Sequence, residues 1–192
     1  MCFRFFYAIR ELWCFKAQLK HFMQAPNLQL ANIQDISKPE LDAHGVSILV
    51  LDYDAVLAAH GEPQPKPEII VWLRQFSKIF APGKIYILSN KPTTARQKFF
   101  LQNFPEVKFI IAKRKKPYPD GLLQIAVESG VTPKSLLLVD DRLGTGILAT
   151  LIAGTQGLWI TKPYVNIMSR PIAETWFIFL RWSEQLIIKY FL

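Results

Sequence analysis

The chain has 192 residues, 51% of them hydrophobic and 20% charged, with only two cysteines, Cys2 and Cys14. A chain of this size buries a core without a metal or disulfide staple, so disorder and a disulfide-built scaffold are excluded, and the cysteine count suits a reducing compartment. Lysine and arginine number 23 against 15 aspartate and glutamate, and the resulting +8 favours an anionic partner: phosphorylated substrate, acidic membrane or nucleic acid.

Met1–Gln24 sets Phe5, Phe6, Ile9, Leu12, Trp13, Leu19 and Met23 at roughly helical spacing, and Arg4, Arg10, Glu11, Lys16 and Lys20 interrupt any signal-peptide core. Val46–Leu51 is an apolar run that predicts a strand buried on both faces. Pro67 opens a helix through Phe80, and after the turn at Pro82–Gly83 a second strand follows at Lys84–Leu88. A helix over Thr93–Asn103, a third strand at Val107–Ile111, a helix over Asp120–Ser129 closed by Gly130, and a fourth strand at Ser135–Val139 come next. Leu143–Thr161 carries no charge, but Gly144, Gly146, Gly154 and Gly157 make it a poor membrane span and a better buried helix followed by a fifth strand, Gly157–Ile160. Ile172–Leu192 carries Trp176, Phe177, Phe179, Trp182, Tyr190 and Phe191, punctuated by Arg181 and Lys189.

The organisation expected is a basic amphipathic N-terminal helix (1–27), an α/β core (28–165) and a C-terminal amphipathic helix (166–192). Each terminal helix either packs its apolar side on the core or lies at a membrane interface, where aromatic and basic residues are favoured together. Alternating strands and helices predict a parallel sheet covered on both faces, with functional groups beyond the carboxyl ends of the strands.

Those ends carry four polar clusters: Asp52-Tyr53-Asp54, Ser89-Asn90, Lys113-Arg114-Lys115-Lys116 and Asp140-Asp141-Arg142. Asp52 and Asp54 alone fit a helix cap and a turn. Together with Asp140 and Asp141 they fit a hard-cation site, and carboxylate donors without cysteine or histidine favour Mg²⁺ over zinc. Mg²⁺ beside a serine hydroxyl and a lysine is the equipment of phosphoryl transfer, where charge on the transferred group must be neutralised and its oxygens oriented.

The four clusters resemble the four motifs of the haloacid dehalogenase (HAD) superfamily of phosphatases. Asp52-Tyr53-Asp54-Ala55-Val56-Leu57 satisfies the first, Asp-x-Asp-x-(Thr/Val)-(Leu/Val), while Ser89, Lys116 and Asp140-Asp141 fall at the second, third and fourth. The resemblance runs from about Leu28 to the C-terminus. It is closest to the YqeG-like, type IIIA branch that includes phosphatidylglycerophosphate phosphatases, through Ile33-Gln34-Asp35-Ile36, Lys116-Pro117 and Arg142-Leu143-x-Thr145. The resemblance implies a three-layer, Rossmann-like α/β core. Asp52 would be the nucleophile that becomes an aspartyl-phosphate, and Asp54 the general acid and then base. Mg²⁺ would be held by Asp52, Asp141 and the main-chain carbonyl of Asp54; Ser89, Asn90 and Lys116 would hold the phosphoryl group. The chain departs from the branch at Ala55 and Val56 (usually Asn and Thr), at Lys91 (usually a second Asn) and at Gly146, where an acid normally stands. Asp140, usually a glycine, is the expected substitute ligand, and restoring the acid by Gly146→Asp is expected to raise Mg²⁺ affinity.

Asp52 to Ser89 holds one loop and one helix, and Ser89 to Lys116 one helix and one strand, so neither stretch has room for an inserted cap domain. A capless, open cleft suits a phosphate on something large. The expected function is a Mg²⁺-dependent phosphomonoesterase acting on a phospholipid headgroup such as phosphatidylglycerophosphate. Its expected partners are a phosphorylated lipid and an anionic membrane surface, with a cytoplasmic location, peripheral on the inner face of a membrane. The alternatives are a phosphatase of nucleic-acid ends or phosphoproteins, disfavoured by the lack of a nucleic-acid recognition signature, and a catalytically weakened HAD-like module that binds membrane or protein. His21, His44 and His60 show no ligand spacing and are read as incidental.

Overall fold

The computed structural model describes residues 2–81 and 83–192; Met1, Pro82 of the predicted turn and the Cys2 side chain lie outside that description. In chain order the elements are α1 (Cys2–Cys14), α2 (Lys16–Gln24), β1 (Gln29–Leu30), α3 (Lys38–Ala43), β2 (Ile48–Leu51), α4 (Pro67–Phe80) and β3 (Ile85–Leu88). They continue with α5 (Thr94–Asn103), β4 (Val107–Ile110), α6 (Asp120–Ser129), β5 (Leu136–Asp140), α7 (Leu148–Ala153), β6 (Gln156–Ile160) and α8 (Pro171–Tyr190).

All strand pairs are parallel, in the order β1-β6-β5-β2-β3-β4. Strands β2, β3 and β5 are buried along their whole length, as apolar runs without polar alternation require in a sheet covered on both faces. Period-two geometry divides their side chains. Leu49, Leu51, Ile85, Ile87, Leu137 and Val139 pack with Ile69, Leu73 and Phe76 of α4 and Phe100 of α5. Ile48, Val50, Tyr86, Leu88, Leu136 and Leu138 pack with Leu122 and Ile125 of α6 and Ala149 of α7. Burying each large aliphatic side chain contributes about 1.5–3 kcal/mol, so this double-sided core holds the central strands rigid. Chain direction diverges between β2 and β5, which are adjacent, and a crevice opens at such a point beyond the carboxyl ends of the two strands.

The predicted central helices and strands fall within a residue or two of their expected limits. Three elements escaped the sequence pattern, the short helix α3 and two others. β1 has two residues, too few for any periodicity, and is held by pairing Gln29 and Leu30 with Trp159 and Ile160. Leu143–Ile147 forms a π-helical turn, with the Ile147 N–H donating to the Arg142 carbonyl, before the chain settles into α7. The single predicted N-terminal helix is interrupted at Phe15 and becomes α1 and α2.

Both terminal helices lie on the α7 side and along the crevice. Leu19 and Phe22 of α2, Ile188 of α8, Leu143, Ile147, Leu148 and Trp159 form a third core. On α8, however, the inward side carries Glu174, Phe177, Arg181 and Glu184, whereas Ile172, Trp176, Phe179, Trp182, Ile187 and Tyr190 are exposed. Phe3, Phe5, Phe6, Ile9 and Trp13 of α1 are exposed too. Among the described residues no helix is long and apolar enough to cross a membrane.

The loop after β2 turns sharply at Ala55, whose φ of 67° lies in the left-handed region that asparagine and glycine tolerate far better than alanine. Ala55→Gly relieves the clash and is expected to stabilise the fold by about 1 kcal/mol, a rise of roughly 2–4 °C in Tm by thermal denaturation.

Candidate active site

The site begins where the buried strands run out. β2 ends at Leu51, and Asp52, next along the chain, is 8% exposed. β5 ends in Asp140, and Asp141 follows; they are 1% and 3% exposed. One oxygen from each of Asp52, Asp140 and Asp141 lies within 4.8 Å of the others. The adjacency of β2 and β5 therefore brings together three carboxylates that stand nearly ninety positions apart in the chain.

Like charges cannot crowd in this way without a counter-ion, and Lys116 supplies one. Its Nζ donates to Asp52 Oδ1 (2.7 Å) and Asp140 Oδ2 (2.5 Å). Burial works against the ammonium, but the two carboxylates overcome it and raise its pKa, so Lys116 is charged. The Lys116 backbone is fixed as well: its N–H donates to Asn90 Oδ1 (2.8 Å), and its carbonyl accepts from Asn90 Nδ2 (3.4 Å) and from Arg4 of α1. One ammonium does not balance three carboxylates. Burial raises Asp52, Lys116 pulls it down, and Asp140 and Asp141 push it back, leaving it well above the usual carboxylate range. Burial and Asp140 likewise push Asp141 up to about 7 against the pull of Arg181 and Arg142. This surplus of negative charge, offered by oxygen donors alone, fits a divalent hard cation.

Asp54 behaves differently. Its carboxylate stands outside that cluster and is clamped by Arg96 of α5: Nη2 donates to Oδ1 (2.7 Å) and Nη1 to Oδ2 (3.0 Å), while the Gly61 N–H adds a third bond to Oδ1 (3.0 Å). Arg96 is 1% exposed, lies 3.9 Å from the Tyr53 ring and also donates to the Glu62 and Lys91 carbonyls. Burial raises the Asp54 carboxyl, but the Arg96 bonds and charge outweigh it and hold the group below its ordinary value, as a carboxylate.

Ser89, buried at the end of β3, accepts from the Lys91 N–H (3.0 Å). It lines a small cavity of about 50 Å³ with Asn90 and Lys116 rather than the main cleft. That cleft, about 220 Å³, is lined by Asp52, Asp54, Asn90, Lys116 and Asp141 of the predicted set, and by Arg4, His60, Lys91, Lys115, Arg142, Thr145 and Phe177. Lys113, Arg114 and Lys115 of the basic run are exposed, and only Lys116 is buried. His60, read as incidental from the sequence, stands in the cleft wall, stacked on Phe177 with ring centroids 3.7 Å apart. Burial lowers its pKa to about 4, the pull of Asp54 notwithstanding, so the ring is neutral. Among the described residues no cap is inserted between the motifs, yet Arg4 from α1 and Phe177 from α8 close in on the cleft. Arg96, Arg181 and His60 carry no motif; the one legible sign was the spacing of Glu174, Arg181 and Glu184, which puts them on one side of α8, away from Trp176, Phe179 and Trp182.

The expectation for Gly146 is corrected by the packing. A Cβ there would lie 1.9 Å from Asp140 Cγ, so the Asp140 carboxylate already fills the space of a residue-146 side chain. A side chain at 146 therefore requires the Asp140 side chain to move.

A parallel sheet that gathers carboxylates and a lysine at its switch point, in this order of elements, has the equipment of phosphoryl transfer and falls in the class of HAD-type phosphatases. Residues 12–165 match the sequence profile of the family described as Mitochondrial PGP phosphatase, and the chain belongs to that family. No curated protein matches it in sequence. Among solved structures, it is similar to an uncharacterized protein from Corynebacterium glutamicum (20% identity, TM-score 0.48, covering 70% of this chain and 95% of that one). It is also similar to the hypothetical protein XCC2798 from Xanthomonas campestris (17%, TM-score 0.47, 73% and 79%). A third is a HAD family hydrolase from Deinococcus radiodurans, solved with bound phosphate and sodium (15%, TM-score 0.41, 64% and 84%).

Gly146→Asp alone forces a second carboxylate onto Asp140 and is expected to destabilise the protein by at least about 2 kcal/mol in chemical denaturation. Adding Asp140→Gly opens the space, and the double variant is expected to recover most of that loss.

Proposed function

We propose that the protein is a Mg²⁺-dependent phosphomonoesterase that hydrolyses a phospholipid headgroup such as phosphatidylglycerophosphate through an aspartyl-phosphate on Asp52. The observation that carries this reading is the buried trio Asp52, Asp140 and Asp141, two of them bonded to Lys116, in a cleft walled by cations and flanked by helices with exposed aromatic faces.

Asp52 and Asp141 would hold the cation, with Asp140 as third donor; when bound it would supply charge neutralisation and a template for the phosphoryl oxygens. Lys116 keeps the Asp52 carboxylate oriented and is a donor for the transferred group. Asn90 locks the Lys116 backbone, so the ammonium cannot follow the leaving group out. Asp54, held as a carboxylate, is fitted to accept a proton from the hydrolytic water. Its acid role toward the leaving oxygen requires Arg96 to release one of its oxygens. Arg4, Lys91, Lys115 and Arg142 surround the mouth and suit a headgroup with a second negative charge.

Peripheral attachment to an anionic membrane is part of the same proposal. Phe3, Phe5, Phe6, Ile9 and Trp13 of α1 and Trp176, Phe179, Trp182 and Tyr190 of α8 are exposed on two helices that also supply Arg4 and Phe177 to the cleft. Lys16 lies 3.8 Å over the Trp13 ring and Lys189 5.0 Å over Tyr190, the mixture of cation and aromatic that an interfacial helix uses. A site that sits at the foot of such a surface can meet a headgroup that never leaves its bilayer. The mitochondrial description of the family is consistent with an organellar membrane as that surface.

Mg²⁺-dependent phosphate release from phosphatidylglycerophosphate in mixed vesicles is expected, with a loss of at least roughly 10³-fold in Asp52→Asn; equal activity of that variant overturns the nucleophile assignment. Flotation is expected with vesicles containing anionic lipid and not with neutral ones. Because Asp141 titrates near 7 in the fold, a cation must displace its proton below that pH. Mg²⁺ affinity is therefore expected to fall by up to roughly tenfold per unit below pH 7 and to level off above it, as read by calorimetry. The sign is that of a raised carboxylate: the metal-free fold loses this contribution to stability as pH rises from the unfolded aspartate range to about 7, and Mg²⁺ restores it.

A further inference from the structure

Asp141, the carboxylate that Lys116 does not reach, is paired with Arg181 of α8. Nη1 donates to Asp141 Oδ2 at 2.9 Å, and both side chains are buried. Arg181 lies beyond the residues that match the family, which end at 165. The helix is docked on both sides of it. Toward its start, Glu174 is wholly buried and accepts from the His60 N–H (3.1 Å), while Arg170 donates to the His60 carbonyl (2.9 Å). Toward its end, Glu184 accepts from Arg142 Nε (2.7 Å) and from the Gly144 N–H. A Cβ at 144 would press on Glu184 Oε1, so a larger residue there makes the Glu184 carboxylate shift. Between these anchors the guanidinium is pressed on Asp141 although its Nη2 is buried without a hydrogen-bond partner. A donor left unsatisfied costs free energy, so the charge of Asp141 is what holds the arginine there.

Within the carboxylate trio the two positive charges divide the work: Lys116 pairs with Asp52 and Asp140, and Arg181 pairs with Asp141. A divalent cation on Asp141 meets a guanidinium already bonded to one of its oxygens, and at such distances in a buried site like charges repel strongly. We infer that Arg181 is a positioning residue for Asp141 that competes with the divalent cation for it, so that α8 sets the metal affinity of the site. The inference rests on the reading that the trio takes Mg²⁺. It couples the metal site to a helix whose other face is aromatic and exposed, so whatever loosens α8 also opens Asp141.

The test is the Mg²⁺ dissociation constant of the full-length chain, by calorimetry, in wild type, Arg181→Gln and Arg181→Lys, with amide exchange of α8 recorded with and without Mg²⁺. Arg181→Gln is expected to bind Mg²⁺ roughly tenfold more tightly, and Arg181→Lys, which keeps the charge, to stay within about threefold of wild type. In wild type, Mg²⁺ is expected to speed exchange in α8 around Arg181. Wild-type binding with unchanged or weakened affinity in Arg181→Gln overturns the competition and leaves the Mg²⁺ reading standing. No Mg²⁺ binding by any of the three overturns both. Should Arg181→Gln fail to fold, wild-type exchange decides: α8 loosened by Mg²⁺ supports the inference, and α8 unchanged or further protected by Mg²⁺ overturns it.

Discussion

A buried ammonium between two buried carboxylates is the constraint around which this molecule is arranged. Taking Lys116, Asp52 and Asp140 out of water costs several kcal/mol for each ion, and mutual attraction offsets that only if the geometry is tightly held. Every structural layer contributes to holding it. The apolar strands β2 and β5 bring the two aspartates side by side, Asn90 at the end of β3 binds both backbone groups of Lys116, and Arg4 from α1 takes its carbonyl again. Counted as charged groups, Lys116 and Arg181 leave the three carboxylates one positive charge short, an excess of negative charge that suits a divalent cation.

A second ion pair sets the character of the neighbouring group. Two carboxylates one residue apart, Asp52 and Asp54, end in opposite electrostatic states because one faces other aspartates and the other faces a bidentate arginine. Environments that push paired carboxylates apart in this way are how one fold assigns different roles to identical side chains. From the first turn of α5, Arg96 therefore sets the charge state of a motif residue though it carries no motif itself.

The terminal helices invert the usual rule for amphipathic packing. α8 turns Glu174, Arg181 and Glu184 inward and leaves tryptophan, phenylalanine and tyrosine outside. The reason is local: the surface it covers is the polar end of a parallel sheet, where unpaired arginine, backbone N–H and carboxylate groups wait for partners. The aromatic residues on its outer side stay exposed, a patch of the kind that marks a docking surface.

Much of the framework was legible in the residue order. Apolar runs such as Ile48–Leu51 and Leu136–Val139 can only be interior strands, Pro67 and Gly130 mark a helix start and a helix stop, and polar residues placed directly after such strands must gather at one edge of the sheet. That placement put Asp52, Asp140, Asp141 and the basic run 113–116 at one edge, and the resemblance to the family motifs singled out Lys116 within the run. What the order of residues could not reveal was which ions pair. Arg96 with Asp54, Arg181 with Asp141, and the carboxylate of Asp140 lying where a side chain of residue 146 would be are contacts between segments 42, 40 and 6 positions apart, chosen by packing distance within a few tenths of an ångström. Periodicity reports which face of an element is apolar, because burial is a property of the face; ion pairing depends on where two faces meet, and that is settled only when the whole chain has folded.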